Sequence, residues 1–320
     1  MPDTAVRTIS VYHPTISSFD SDTNQIFSPR SGPSSKVRQM VTIMAATGEL
    51  PRLRAPDNLQ NISYTVDLVV PLVHCRVSND QIRSLTALSA YEEAVRELRL
   101  LGNKIDTNRT TFHAHNLTFM PNIDPAIKGS AESLPGQIGY YATEGPTANN
   151  VGELWIAIAN PQSGTLPHDF KASQNASYYT CSQRNSSVKT IVSFIDNVQS
   201  LEAVSIKDME FVQMDPDRIS GNVSTANNAL DNYDTFGTAI FDILSGLVLK
   251  YWNPPPNHIW NTTLDQTIFG TSNDISVVTS AFKDSGIENG TAWLSRNLTT
   301  VFEEFYLNAS LALMSLPTYK

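Results

Sequence analysis

No apolar run of about eighteen residues occurs in this 320-residue chain, so no segment of it reads as a membrane-crossing helix. The best candidate, Phe236 to Trp252, is broken by Asp242, Ser245 and Lys250. Met1 to Ser10 has no apolar core of the kind a cleavable signal peptide needs, so none is expected there. Clusters of positive charge are also missing. Lys and Arg total 22 against 31 Asp and Glu, leaving a net charge of −9. That balance, with a pI near 5.1, argues against a nucleic-acid or anionic-membrane surface. Charged residues are only 17% of the chain, while Ser, Thr and Asn are plentiful. Such a surface is solvated by hydroxyls and amides rather than by ions. The chain has no Gly-x-Ser-x-Gly elbow, no Gly-x-x-x-x-Gly-Lys phosphate loop and no Gly-x-Gly-x-x-Gly turn, so those enzyme classes lose their usual support and no cofactor is implied. Cysteine is nearly absent, with two residues and no Cys-x-x-Cys or Cys/His spacing of a redox or zinc site.

What is present is organised around Leu50 to Cys75. This stretch holds a Pro-bounded loop, an Asn-x-Ser acceptor at Asn61, an alternating strand and the first cysteine. About a hundred residues on, Asn175-Ala-Ser-Tyr-Tyr-Thr-Cys181 repeats the order of sequon, aromatic, strand and cysteine. The two stretches are read as paired strands joined by a Cys75–Cys181 disulfide; the plain alternative is two buried thiols. Ten Asn-x-Ser/Thr acceptors stand in the chain, at Asn61, Asn108, Asn116, Asn175, Asn185, Asn222, Asn261, Asn289, Asn297 and Asn308. Chance in this composition would give about half as many.

Along the chain, residues 1–35 lack periodicity and read as a loosely held arm, and residues 36–320 as one α+β domain. Its fold is expected to be an antiparallel β-rich, sandwich-like body over 36–215 with one inserted helix near 80–101, followed by a helical C-terminal third over 227–316. Val37 to Ala46 reads as a short strand. Ile62 to Val70 alternates as a half-buried strand, with Pro71 marking an edge or bulge. Ile82, Leu85, Leu88, Tyr91, Val95 and Leu98 recur at helical spacing, capped by Asn79 or Asp80 and stopped by Gly102. Strands are expected over Arg109–Phe119, Gln137–Ala142, Val151–Ala159 and Tyr178–Ser182, with a hairpin Lys189–Ile206 turning at Asp196-Asn197. Val151–Ala159 is nearly continuous in apolar character and should be central. A helix from Asn227 is expected to run through Tyr251 to the prolines at 254–256, followed by helices over Asp274–Lys283 and Thr291–Leu316. On the last of these Asn297, Thr300, Glu304 and Asn308 form a solvent stripe opposite Leu294, Leu298, Phe302, Phe305 and Ala309.

Candidates for chemistry are few. His113 and His115, two apart on a strand, would project from one face and reach one metal ion; a solvated face beside Asn116 is the simpler account. His74 reads as strand packing. A glycosidase needs two carboxylates about 5 to 9 Å apart. Glu153, Asp169, Asp208, Glu210 and Asp215 are the candidates, with Trp155, Tyr178, Tyr179, Tyr251, Trp252 and Trp260 for stacking on sugars, although core packing is the commoner use of such rings.

Several stretches together resemble a known family: Met44-Ala-Ala-Thr-Gly-Glu-Leu50, Asn61 to Pro71 with Cys75, Gly152-Glu-Leu-Trp-Ile-Ala-Ile158, Asn175-Ala-Ser-Tyr178 with Cys181, Phe194-x-x-Asn-x-Gln199, and Phe302 to Leu313. They resemble the large glycosylated extracytosolic region of multi-pass membrane proteins of filamentous ascomycete fungi, over roughly residues 37–316. The resemblance implies an extracytosolic location between membrane spans that this chain lacks. Some members carry a formylmethionine-deformylase-like label, but the His-Glu-x-x-His helix that chemistry requires does not occur here. Three readings follow. The first is a non-catalytic ectodomain that binds, senses or supports, with a cell-wall glycan or a protein as partner and its binding face in the sequon-free stretch 117–174. The second is a secreted-type hydrolase of cell-wall polysaccharide. The third is a cytosolic protein with chance sequons and reduced cysteines.

Overall fold

The structure, a computed structural model, describes residues 35–51, 53, 61–101, 105, 107–108, 110–114, 117–120, 136–145, 152–159, 176–196, 198–211, 228–251, 257–271 and 298–315. All of the expected N-terminal arm but Ser35, and the helix expected over Asp274–Lys283, lie outside these residues.

The described residues form an open antiparallel sheet packed with helices, an α+β fold. In chain order the elements are α1 (Ser35–Thr47), β1 (Ile62–Val77), α2 (Asp80–Leu100), β2 (Thr111–His113), β3 (Thr118–Met120), β4 (Gly136–Glu144) and β5 (Glu153–Ala159). Then come β6 (Ala176–Ile195), β7 (Val198–Phe211), α3 (Asn228–Leu244), β8 (Gly246–Tyr251), β9 (Asn257–Thr262) and α4 (Leu298–Ala312). The main path of the sheet runs β1-β6-β5-β4-β3-β2, with β7 added to β6 and the β8–β9 hairpin added to β4. These strands make one hydrogen-bonded sheet rather than the expected sandwich-like pair. The apolar strand faces are covered by helices, which leaves no need for a second sheet.

β6 is the spine of the sheet. From Tyr179 to Phe194 it pairs with β1 on one side; on the other its first part pairs with β5 and its second part with β7. The two strand segments expected on either side of residue 185 are therefore one strand of 20 residues. The expected hairpin is present, with Ile195 opposite Val198 and Asp196 at a φ of +50°. Such a left-handed turn residue matches the twist of the flanking strands. β5 lies between β4 and β6 and every residue of it is buried, as its unbroken apolar sequence requires.

Three expectations are corrected. Val37 to Ala46 lies in a helix, because Val37, Met40, Val41, Met44 and Ala45 all point into the core at the spacing of 3.6 residues per turn. Gly48, at a φ of +71°, ends this helix by donating its N–H to the Met44 carbonyl. Arg109 to Phe119 is not one strand but the β2–β3 hairpin. The helix from Asn228 stops at Leu244, and residues up to Tyr251 form a strand between β4 and β9. In α2 the element and its Asn79 cap are as expected, the Asn79 Oδ1 accepting from the Ile82 N–H at 2.9 Å. The buried face is nevertheless Thr86, Ala87, Ala90, Ala94, Val95 and Leu98, and Leu85 and Leu88 are exposed. Alanines let the helix lie close on the sheet, so the larger leucines are turned outward.

One face of the sheet carries α1, α3 and α4 over a core that includes Tyr140, Ile156, Phe236, Ile240, Phe302 and both cysteines. The Tyr140 hydroxyl donates to the Leu244 carbonyl at 2.5 Å, and complete burial drives its pKa far above that of a free phenol. The opposite face carries α2, packed on Ile138, Tyr141, Ala157 and Tyr178. On α4, Phe302, Phe305 and Ala309 are buried while Thr300 and Asn308 are exposed, as the expected stripe required, and Glu304 is half-buried; Leu294, Asn297 and the side chain of Leu298 lie outside the described residues.

Candidate functional site

On the side of β1 away from β6 the disulfide, the last helix and an open groove meet. Among the described strands β1 pairs only with β6, and Pro71 sits within it as an edge strand permits. An uncovered edge presents backbone groups that need partners. α4 supplies two: the Ser310 hydroxyl donates to the Pro71 carbonyl at 2.6 Å, and Glu303 Oε1 accepts the Cys75 N–H at 2.8 Å. The same Glu303 oxygen lies 3.2 Å from His74 Nδ1, so His74 is a half-exposed partner of a carboxylate rather than a packed strand residue. Cys75 stands directly opposite Cys181 in the ladder and is bonded to it, closing a separation of 106 residues. With both sulfurs joined, neither acts as a nucleophile or metal ligand.

Ser310→Ala leaves the Pro71 carbonyl buried without its donor and is expected to cost about 1–3 kcal/mol, read from the urea midpoint. Because Ser310 also completes the Asn308 acceptor, Asn308→Gln is the control: it removes the acceptor and keeps the hydroxyl, and the midpoint should stay within about 0.5 kcal/mol of the parent.

Beside this edge lies a groove of about 250 Å³, with Leu72, Ile206 and Leu307 as apolar walls and His74, Arg184, Glu303 and Glu304 as polar ones. Its mixed charge suits a small polar ligand more than a metal ion. Among the described residues no three His, Cys, Asp or Glu side chains converge.

The other predicted residues fall as follows. Glu153 is 9% exposed, and its two oxygens accept from the Ser182 hydroxyl at 2.9 Å and the Trp155 indole N–H at 3.2 Å. It pairs with Ser182 one step along the ladder from the disulfide. Asp169 and Asp215, and the side chains of Asp208 and Glu210, lie outside the described residues. Trp155 and Tyr178 are buried in the core rather than set in a cleft. Tyr178 donates to the Ala114 carbonyl and packs its ring under Arg83, 5.4 Å away; burial raises its pKa to about 12, against the opposing pull of Arg83. Tyr179 is half-buried against the α1/α3/α4 core, and the side chains of Tyr251, Trp252 and Trp260 lie outside the described residues. His113 is exposed on β2, and its would-be partner His115 lies outside the described residues. Of the stretch 117–174, the residues whose burial is described are largely core, with Thr143 and Glu144 the most open of them; residues 121–135, 146–151 and 160–174, where the expected binding face would also lie, are outside the described residues. Burial was legible there, since β5 reads as a continuous apolar run.

Of the ten acceptors, Asn61, Asn108, Asn261 and Asn308 are exposed and Asn185, in the interior of the sheet, is half-buried; Asn116, Asn175, Asn222, Asn289 and Asn297 lie outside the described residues. Sequence reasoning missed Gln183, whose amide is buried with no hydrogen-bond partner among the described residues, wedged against Gly152 and Gly237. Those two glycines, far apart in sequence, carry no local signal for such a wedge.

The fold and the edge site define an α+β domain with a single cross-strand disulfide. No family model, no curated protein and no solved structure matches the chain.

Proposed function

We propose that the chain is a non-catalytic extracytosolic domain of a fungal membrane protein, disulfide-bridged and N-glycosylated, with a binding, sensing or structural role. The observation that carries this reading is the Cys75–Cys181 bond, which belongs to an oxidising compartment. Four of the five described acceptor asparagines are exposed, as a glycosylated surface needs. The groove at the β1 edge is the natural place for a small polar ligand, and the glycans restrict where larger partners can approach.

The test is to secrete the chain from a eukaryotic host behind an added signal sequence. The expected product loses mass on endoglycosidase treatment and releases no reducing ends from glucan or chitin above buffer level. The hydrolase reading rests on one observation, a buried carboxylate at Glu153 beside a tryptophan. Release of reducing ends by the parent protein that disappears in Glu153→Gln would put that reading in place of ours.

A further inference from the structure

We propose that Asn261, an acceptor by sequence and exposed by surface area, carries no glycan in the folded protein and instead fastens the β8–β9 hairpin to α2, while Asn61 and Asn308 carry theirs. This rests on the extracytosolic reading above and deepens it.

The distinction lies in the atom that reacts. Glycan transfer forms a bond from the Asn side-chain nitrogen to C1 of a lipid-linked oligosaccharide. The bond from C1 to the pyrophosphate oxygen breaks, the lipid pyrophosphate leaves and the amide gives up one proton. At Asn261 that nitrogen donates to Glu97 Oε1 at 2.8 Å and to Glu93 Oε1 at 3.2 Å, so both of its hydrogens are used. A glycosylated amide keeps one hydrogen and serves only one of these carboxylates. The other would face its like-charged neighbour one helical turn away without the donor that bridges them. Arg96 also pairs with Glu93 and lies 3.8 Å from Glu97, but one guanidinium cannot neutralise two carboxylates, and the two N–H groups of the amide supply the remaining donors.

The residues that follow hold this end of the hairpin: the Thr263 hydroxyl donates to the Ile243 carbonyl at 3.1 Å, and the Thr262 hydroxyl donates to the Ser245 carbonyl and accepts from the Leu264 N–H. The glutamates precede Asn261 by 168 and 164 residues, so the partners are already synthesised when the hairpin emerges. A chain glycosylated there before folding could not dock β9 on α2 as the structure does. At Asn61, by contrast, it is the oxygen that is engaged, accepting the Asp196 N–H at 3.0 Å. Its nitrogen has no partner among the described residues. Asn308 points outward from α4, away from the Ser310 contact to β1.

The test is site-by-site occupancy in the secreted, folded protein. Enzymatic deglycosylation in heavy-oxygen water marks each asparagine that bore a glycan, and peptide mass spectrometry reads the marks. Asn61 and Asn308 are expected to be marked and Asn261 unmarked. In Glu93→Ala/Glu97→Ala, which removes both acceptors, Asn261 should become marked in the secreted product. A mark on Asn261 in the parent protein, with Asn61 and Asn308 also marked, overturns this inference and leaves the extracytosolic reading standing. Marks at none of the sites overturn both.

Discussion

Replacing Cys75 and Cys181 together by alanine is expected to lower the unfolding free energy by about 4–5 kcal/mol, seen as a lower urea midpoint with the folded spectrum retained. The magnitude follows from the 106 residues between the cysteines, since a closed loop of that length removes much of the freedom of the unfolded chain. The location adds to the effect. Among the described residues, β1 pairs with β6 on one side and meets the side chains of α4 on the other. The bond lies at the end of β1 where α2 is about to begin. With the bond gone, the ladder and the Ser310 and Glu303 contacts remain, so the native state is expected to persist at neutral pH. A loss below about 1 kcal/mol would mean that the unfolded chain was constrained by something other than this bond.

Gly246→Ala is expected to cost about 3 kcal/mol or more. Gly246 is the hinge at which α3 becomes β8, and its φ of +134° is one that side-chain-bearing residues rarely adopt. A Cβ there would lie 2.3 Å from the Asn261 backbone carbonyl oxygen and 2.5 Å from Thr262 Cβ. Neither neighbour can retreat, because Gly246 pairs with Thr262 in the β8–β9 ladder and the Asn261 amide is tied to Glu93 and Glu97. Gly48→Ala is the comparison: its φ of +71° is within reach of other residues, and the new methyl meets only the Ile268 side chain, at 3.2 Å. That substitution should cost about 1 kcal/mol. A smaller loss for Gly246→Ala than for Gly48→Ala would remove the hinge from the account.

These two predictions mark where the sequence could be read and where it could not. The β1–β6 pairing was legible at Cys75 and Cys181, where each expected strand segment carries a lone cysteine, and the Asp196 turn because its residue type tolerates positive φ; that β6 runs on from Cys181 to Ile195 was not. α4 was legible because its apolar stripe and its acceptor at Asn308 separate cleanly by period. The α3–β8 junction was not. Ile240, Ile243, Leu244, Leu247 and Tyr251 keep helical spacing straight through it, while a strand buried on both faces shows the same apolar density. The signal that separates them is Ser245-Gly246 just past the last helical turn, where a glycine commonly ends a helix. α1 failed for the opposite reason. Its spacing was helical throughout, and only the short window made it look like a strand. In the site, the Cys75–Cys181 bond was readable, but the α4 side chains that cover the β1 edge were not. Glu303 and Ser310 lie 228 and 239 residues from their partners, and a lone Glu or Ser carries no mark of such a contact.

The most direct test of the central claim is a thiol count. The secreted protein is unfolded in denaturant without reductant, alkylated, and weighed intact. No alkyl group should be added, and two should appear once a reductant is included, matching the two cysteines of the chain. Two groups added without reductant would mean the sulfurs are free, and the extracytosolic account would fail with them.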